Sequence, residues 1–120
     1  MGKMPGSVQE IRYINRDENT HLWLFRSMIL ELQKEEPQLF TPALVEEYKD
    51  MLRYGVEEEI RWGSYVIGND IEGLTMQMVR EYIYYLGNLR STSLGFGTLY
   101  EGYEKEPDPW NGYRCMRMPI

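Results

Sequence analysis

Glu18 and His21 are the two residues of this 120-residue chain whose types and spacing could do chemistry together. They stand three positions apart in the run Arg16-Asp17-Glu18-Asn19-Thr20-His21, and on a helix that spacing points both side chains from one face. The face is an apolar one. Ile11, Ile14, Phe25, Met28 and Leu32 recur at alternating steps of three and four, which reads as a buried helix stripe, and positions 18 and 21 complete it. A carboxylate and an imidazole therefore occupy places where core side chains belong. Burying an unpaired carboxylate costs several kcal/mol, comparable to the whole stability of a small domain. A metal ion held between the two groups is the economical compensation.

Glu-x-x-His on a helix facing a bundle interior is half of the ligand set used by di-iron carboxylate proteins. The motif is short, however, and an inward histidine bonded to a carboxylate or a carbonyl accounts for the same pattern. Asp17, beside the pair, reads either as an acceptor for an imidazole on another helix or as a solvated residue. The chain has one histidine and one cysteine. A zinc site of Cys and His within one chain is thereby excluded, as is a Ser-His-Asp triad with its usual chain signatures. Any further ligands are carboxylates or belong to another polypeptide. Glu57-Glu58-Glu59 reads first as a solvated run, with one of the three reaching a metal as the lesser alternative.

Three helices are expected to position these groups. Pro5-Gly6 is turn chemistry, and Ser7 with Glu10 reads as a capping box opening a helix that Pro37 ends near Glu35 or Glu36. Thr41-Pro42 opens the second helix, whose period runs through Leu44 or Val45, Tyr48, Leu52, Val56, Ile60 and the segment from Gly63 to Ile67. Gly55 and Gly63 share a face there, which predicts close approach of a neighbouring helix. After the polar connection Gly68-Asn69-Asp70 and Glu72-Gly73, Thr75 caps a third helix along Val79, Tyr82 or Ile83, Leu86 and Leu89, stopping near Gly95 and Gly97. Tyr82, Tyr84 and Tyr85 read as packing. Pro107-Asp108-Pro109-Trp110 is expected to be extended, with Trp110 packing back, and residues 111–120 to form a flexible tail.

Composition narrows the classes. The length bounds the chain to one domain with a limited core, and the 42% hydrophobic and 27% charged content is that of a globular protein. A net charge of −6 argues against nucleic acid as a partner. No apolar run approaches the roughly 18–20 residues that span a bilayer, and the first six residues lack the apolar core of a signal peptide. Cys115, being single, forms no internal disulfide, so a reducing cytoplasmic setting is the expectation.

Read in order, these segments resemble the C-terminal half of the small, radical-generating subunit of class I ribonucleotide reductase. Ile11-Arg12-Tyr13-Ile14-Asn15-Arg16-Asp17-Glu18 with His21-Leu22 looks like that family's iron-ligand helix. Glu59-Ile60-Arg61-Trp62 and Ile71-Glu72-Gly73-Leu74 are similar to its next helix and loop. Tyr82-Ile83-Tyr84-Tyr85-Leu86-Gly87-Asn88-Leu89-Arg90 and Leu94-Gly95 look like the helix after that, and Pro107-x-Pro109-Trp110 resembles its Asn-Pro-x-Pro-Trp element. The resemblance covers about residues 4 to 110, with Glu106 standing where the family has Asn.

The resemblance implies an all-α fold, a fragment of a ferritin-like bundle whose core holds two metal ions on four carboxylates and two histidines. Glu18 and His21 would be ligands of one metal. Asp17 would accept a hydrogen bond from a histidine on a helix absent here, in the chain that passes the radical onward. The metal would be iron, with manganese as the alternative. Implied partners are the N-terminal part of the small subunit, a second small-subunit copy and the large catalytic subunit. The family's tail after the Trp is longer and acidic, whereas residues 111–120 carry Arg114 and Arg117 and no acid; Tyr113 is a candidate tail tyrosine by position only. The expected function is thus that of a C-terminal piece of the small subunit, residues 1–110 followed by the tail, inactive alone. Two alternatives stand beside it. One is a small metal-binding dimer built on two copies of Glu18 and His21. The other is a non-catalytic helical interaction module.

Overall fold

Pro37 stands where the first helix cannot continue and Pro42 opens the second, while the connection after Val66 separates the second helix from the third. A computed structural model describes residues 4–68 and 70–107. Helix α1 spans Pro5–Glu35, a short 3-10 turn follows at Pro37–Leu39, α2 spans Pro42–Val66 and α3 spans Met76–Ser93. No strand occurs among the described residues.

The caps follow side-chain chemistry in two of three cases. Thr41 and Thr75 each accept, through Oγ1, the backbone N–H of the third residue of their helix, Leu44 and Met78, at 3.2 Å. The expected Ser7–Glu10 capping box does not form. The first helix starts three residues earlier, at Pro5, with Met4 as the N-cap in the left-handed region (φ 59°) and no side-chain cap. Proline at the first helical position has its φ already set and no N–H to satisfy, so it opens the helix before Ser7 can.

Helices α2 and α3 form the packed unit. Val56 and Ile60 of α2, Val79 of α3 and Leu94 just after it are the buried apolar side chains among the described residues. The close approach between the helices is made at Gly87, where an added Cβ would lie 2.8 Å from Val56 Cγ2. That corrects the expectation for α2's own glycines. Gly55 faces open space, and only Gly63 has a neighbour, Val79 Cγ1 at 3.6 Å. Phe96 returns over the helices to meet Phe40 and, edge-on, Tyr48, with ring centroids 6.3 and 5.0 Å apart.

Helix α1 differs from its expected setting. Its 31 residues make a rod of about 46 Å, most of the molecule's 53 Å long axis. None of them is buried. The stripe expected to face a core is exposed, with Ile11 63%, Ile14 61%, Phe25 61% and Met28 58% accessible. The reason is which side of α1 the rest of the chain touches. Arg26 Nε donates to Ser93 O (3.2 Å) and Gln33 Nε2 to Leu94 O (3.0 Å). At 3.6 residues per turn these two lie roughly 100° around the helix from the stripe. The stripe's covering elements are not α2 or α3. Trp110 and the tail lie outside the described residues.

Candidate metal centre

Because α1 is unbroken from Pro5 to Glu35, the i, i+3 spacing holds as expected. His21 Nδ1 lies 3.6 Å from Glu18 Oε2, close enough for one ion to touch both groups. Both side chains are about two-thirds exposed. Imidazole nitrogen and carboxylate oxygen together suit iron, zinc and related divalent ions. The two donors fit such a metal as part of its set, and no group of three or more His, Cys, Asp or Glu that could hold a metal forms among the described residues.

Asp17 points away into its own pairing. Its Oδ1 accepts from Arg16 Nε and lies against one terminal guanidinium nitrogen, Nη2, both at 3.0 Å, while Arg16 also sits over the Tyr13 ring. The acidic run on α2 does not reach His21. Glu57 accepts from the Tyr84 hydroxyl at 3.3 Å, and Glu58 is paired with Arg61 one turn on.

The tyrosines pack, as expected. Tyr84 lies against Tyr100 and Tyr103 at 4.5 and 5.0 Å between ring centroids, and Tyr82 against Tyr85 at 6.1 Å. Burial, and then the charge of Glu57, push the Tyr84 phenol above its ordinary pKa.

Sequence reading missed Asn88, the residue that anchors this corner. Its side chain is 2% exposed and uses every hydrogen-bonding capacity it has. Oδ1 accepts from the amides of Leu99 (2.7 Å) and Tyr100 (2.9 Å). Nδ2 donates to the carbonyls of Tyr100 (2.8 Å) and Tyr103 (3.0 Å). The signal was an Asn in a helix interior, where it is a poor helix former, a few residues before an irregular segment needing backbone partners.

A Glu-x-x-His pair on a long helix of an all-helical unit is a feature found in the ferritin-like carboxylate metal proteins. The comparison with known families makes this specific: the model for "Ribonucleotide reductase, small chain" matches residues 1–107. The chain belongs to the ribonucleotide reductase small-chain family. It is 68% identical over 106 residues to the ribonucleoside-diphosphate reductase subunit beta of Treponema pallidum, covering 88% of this chain and 30% of that protein. The Aquifex aeolicus subunit beta is 44% identical over 92 residues, 77% of this chain and 13% of its own length. Among solved structures, the ribonucleotide reductase R2 subunit from Clostridium botulinum superposes with a TM-score of 0.88 at 43% identity, over 96% of this chain and 36% of that one. A class I ribonucleotide reductase from Bacillus halodurans gives 0.86 at 31% identity, covering 96% and 40%. The chain therefore spans a third or so of the length of most of these proteins.

Proposed function

We propose that this chain supplies one part of the di-metal centre of a ribonucleotide reductase small subunit, with Glu18 and His21 as ligands of one metal ion. The observation that carries the reading is their setting. A carboxylate and an imidazole 3.6 Å apart lie exposed in the middle of an exposed apolar stripe, which is the surface of a helix prepared for burial under others. The metal, iron or manganese, supplies when bound the oxidising chemistry from which the family's radical is made, for reduction of ribonucleotides to deoxyribonucleotides. The chain's own residues bind and orient it. Rigid helical backbone fixes the two donors, and Asp17 turns from Arg16 to a histidine of a covering helix, fixing that ring's tautomer. The covering helices come from the rest of a small-subunit chain. A second small-subunit copy and the large subunit complete the assembly, in the cytoplasm. No described helix is long and apolar enough to cross a membrane.

The test is reconstitution. The chain is mixed with the upstream two-thirds of a small subunit as a separate polypeptide and loaded aerobically with Fe(II). An electron paramagnetic resonance signal of a tyrosyl radical is expected only from the mixture, and is expected to vanish with Glu18→Ala or His21→Ala. A radical signal from the chain alone, or one that survives both substitutions, overturns the reading.

A further inference from the structure

Tyr84 and Tyr100 make the closest ring pair among the described residues, with centroids 4.5 Å apart and planes 39° from parallel. The edge of Tyr100 that faces α3 carries an ortho carbon of the phenol. Its Cε2 stands 3.6 Å from the Cβ position of Gly87, one turn along the helix from Tyr84. Ortho carbons are where a phenoxyl radical places its spin and forms new bonds.

Apolar packing accounts for the contact between the rings but not for the difference between their hydroxyls. Tyr84 Oη donates to Glu57 Oε1 at 3.3 Å. Tyr100 Oη is buried and has no hydrogen-bond partner among the described residues. One phenol of the pair thus has a carboxylate beside it to take its proton, and the other has none. Burial and the charge of Glu57 keep the Tyr84 phenol protonated at neutral pH. Loss of an electron from Tyr84 must then be accompanied by loss of the proton, and Glu57 stands in its path.

The pair is held in place by groups outside it. Asn88, one turn beyond Tyr84, bonds both the amide and the carbonyl of Tyr100, and the Tyr103 ring also packs on Tyr84, at 5.0 Å. Both rings are half-buried, near enough to the surface to exchange electrons with a small diffusing oxidant. All of these residues belong to α2, α3 and the segment after α3, so the arrangement rests on no face of α1.

We infer that Tyr84 and Tyr100 are a modification site, joined as a dityrosine when the chain meets a one-electron oxidant. Tyr84 gives an electron to a first oxidant molecule and its hydroxyl proton to Glu57. The radical bonds through an ortho carbon to an ortho carbon of Tyr100. A second oxidant molecule takes the unpaired electron that remains. The Tyr84 ring proton at the new bond moves to its own oxygen, and the corresponding ring proton of Tyr100 leaves to water. Two electrons and two protons are lost, one carbon–carbon bond forms, and both phenols are restored. The product ties α3 to the segment after it, a constraint on the unfolded chain of the kind a disulfide imposes. No metal of the chain enters these steps, so the inference and the proposed function fail separately.

The probe is photoexcited ruthenium tris-bipyridine with persulfate, applied to the full chain, with the monomer band isolated by denaturing electrophoresis. That band is expected to gain dityrosine fluorescence. After trypsin it should release residues 81–90 joined to residues 91–105, with fragment ions placing the bond at Tyr84 and Tyr100. Tyr84→Phe and Tyr100→Phe keep each ring but remove a phenol, and each is expected to abolish this product while circular dichroism stays unchanged. Tyr103→Phe is expected to leave it. A monomer without dityrosine, a bond placed at Tyr82, Tyr85 or Tyr103 instead, an unchanged yield in Tyr84→Phe, or loss of the product in Tyr103→Phe each overturns the inference.

Discussion

Asn88→Ala should be among the most destabilising single changes in the chain. The substitution strands four backbone groups: the amides of Leu99 and Tyr100 and the carbonyls of Tyr100 and Tyr103, now bonded at 2.7–3.0 Å. At about 1 kcal/mol net each, the full set is worth about 4 kcal/mol. Leu99, Tyr100 and Tyr103 are only half-buried, so water reaches some of the freed groups, and a loss of about 2–4 kcal/mol is expected. Against the roughly 5–15 kcal/mol of a typical domain, and with four apolar side chains buried among the described residues, that is a large share. Urea unfolding followed by circular dichroism gives the difference, and hydrogen exchange at the Leu99 and Tyr100 amides reports the lock itself. Asn88→Asp keeps the acceptor for both amides but sets a carboxylate against two carbonyls, so it should not rescue even half the loss. A cost below about 1 kcal/mol for Asn88→Ala, with both amides still protected, would refute the reasoning.

Three further outcomes are expected. Gly87→Ala sets a methyl 2.8 Å from Val56 Cγ2, and valine in a helix has essentially one rotamer in which to yield. Overpacking of about 1–3 kcal/mol, less about 1 kcal/mol gained from helix propensity, gives a net loss of about 0–2 kcal/mol. Adding Val56→Ala should relieve the clash, which a double-mutant cycle in urea will show. Ser91 is fully buried, and its Oγ has no hydrogen-bond partner. Ser91→Ala should therefore be neutral or stabilise by up to about 1 kcal/mol, and a fall in melting temperature would count against the buried hydroxyl being unpaired. Tyr48, Tyr84 and Tyr100 have phenol pKa values raised above 10.0, in each case first by burial. A raised folded-state value stabilises the fold below the unfolded pKa and is lost as pH rises through the folded one. Urea midpoints should thus hold up to about pH 10 and fall above it, less steeply in Tyr84→Phe.

What was legible in the sequence divides by the range of the physics involved. Pro37, Pro42, Thr41 and Thr75 act on their neighbours within a turn, and the helix ends they imply are where the structure has them, at Glu35, Pro42 and Met76. The α2 period also holds, with Val56 and Ile60 buried. The misses at Gly55 and Asn88 are of another kind. Which glycine marks a helix crossing depends on where α3 lies, and Gly87 sits on the partner helix. Which polar side chain is buried depends on a segment eleven to fifteen residues downstream folding back. Periodicity within one helix contains neither fact.

The α1 stripe joins the two kinds. Its pattern was read as a buried face, and the structure leaves that face exposed within this chain, because periodicity specifies a face without specifying what covers it. Side chains averaging about 60% exposure on one rod have to find a cover or limit the chain's solubility. A cover of upstream helices buries Glu18 and His21 and therefore needs a cation there, because a buried carboxylate left unpaired costs several kcal/mol. Metal dependence of association with those helices is the consequence. Association of this chain with an upstream small-subunit polypeptide, followed by light scattering, should therefore tighten on adding Fe(II) and lose that response in Glu18→Ala, and tight association that ignores both metal and the substitution would refute the need for a cation.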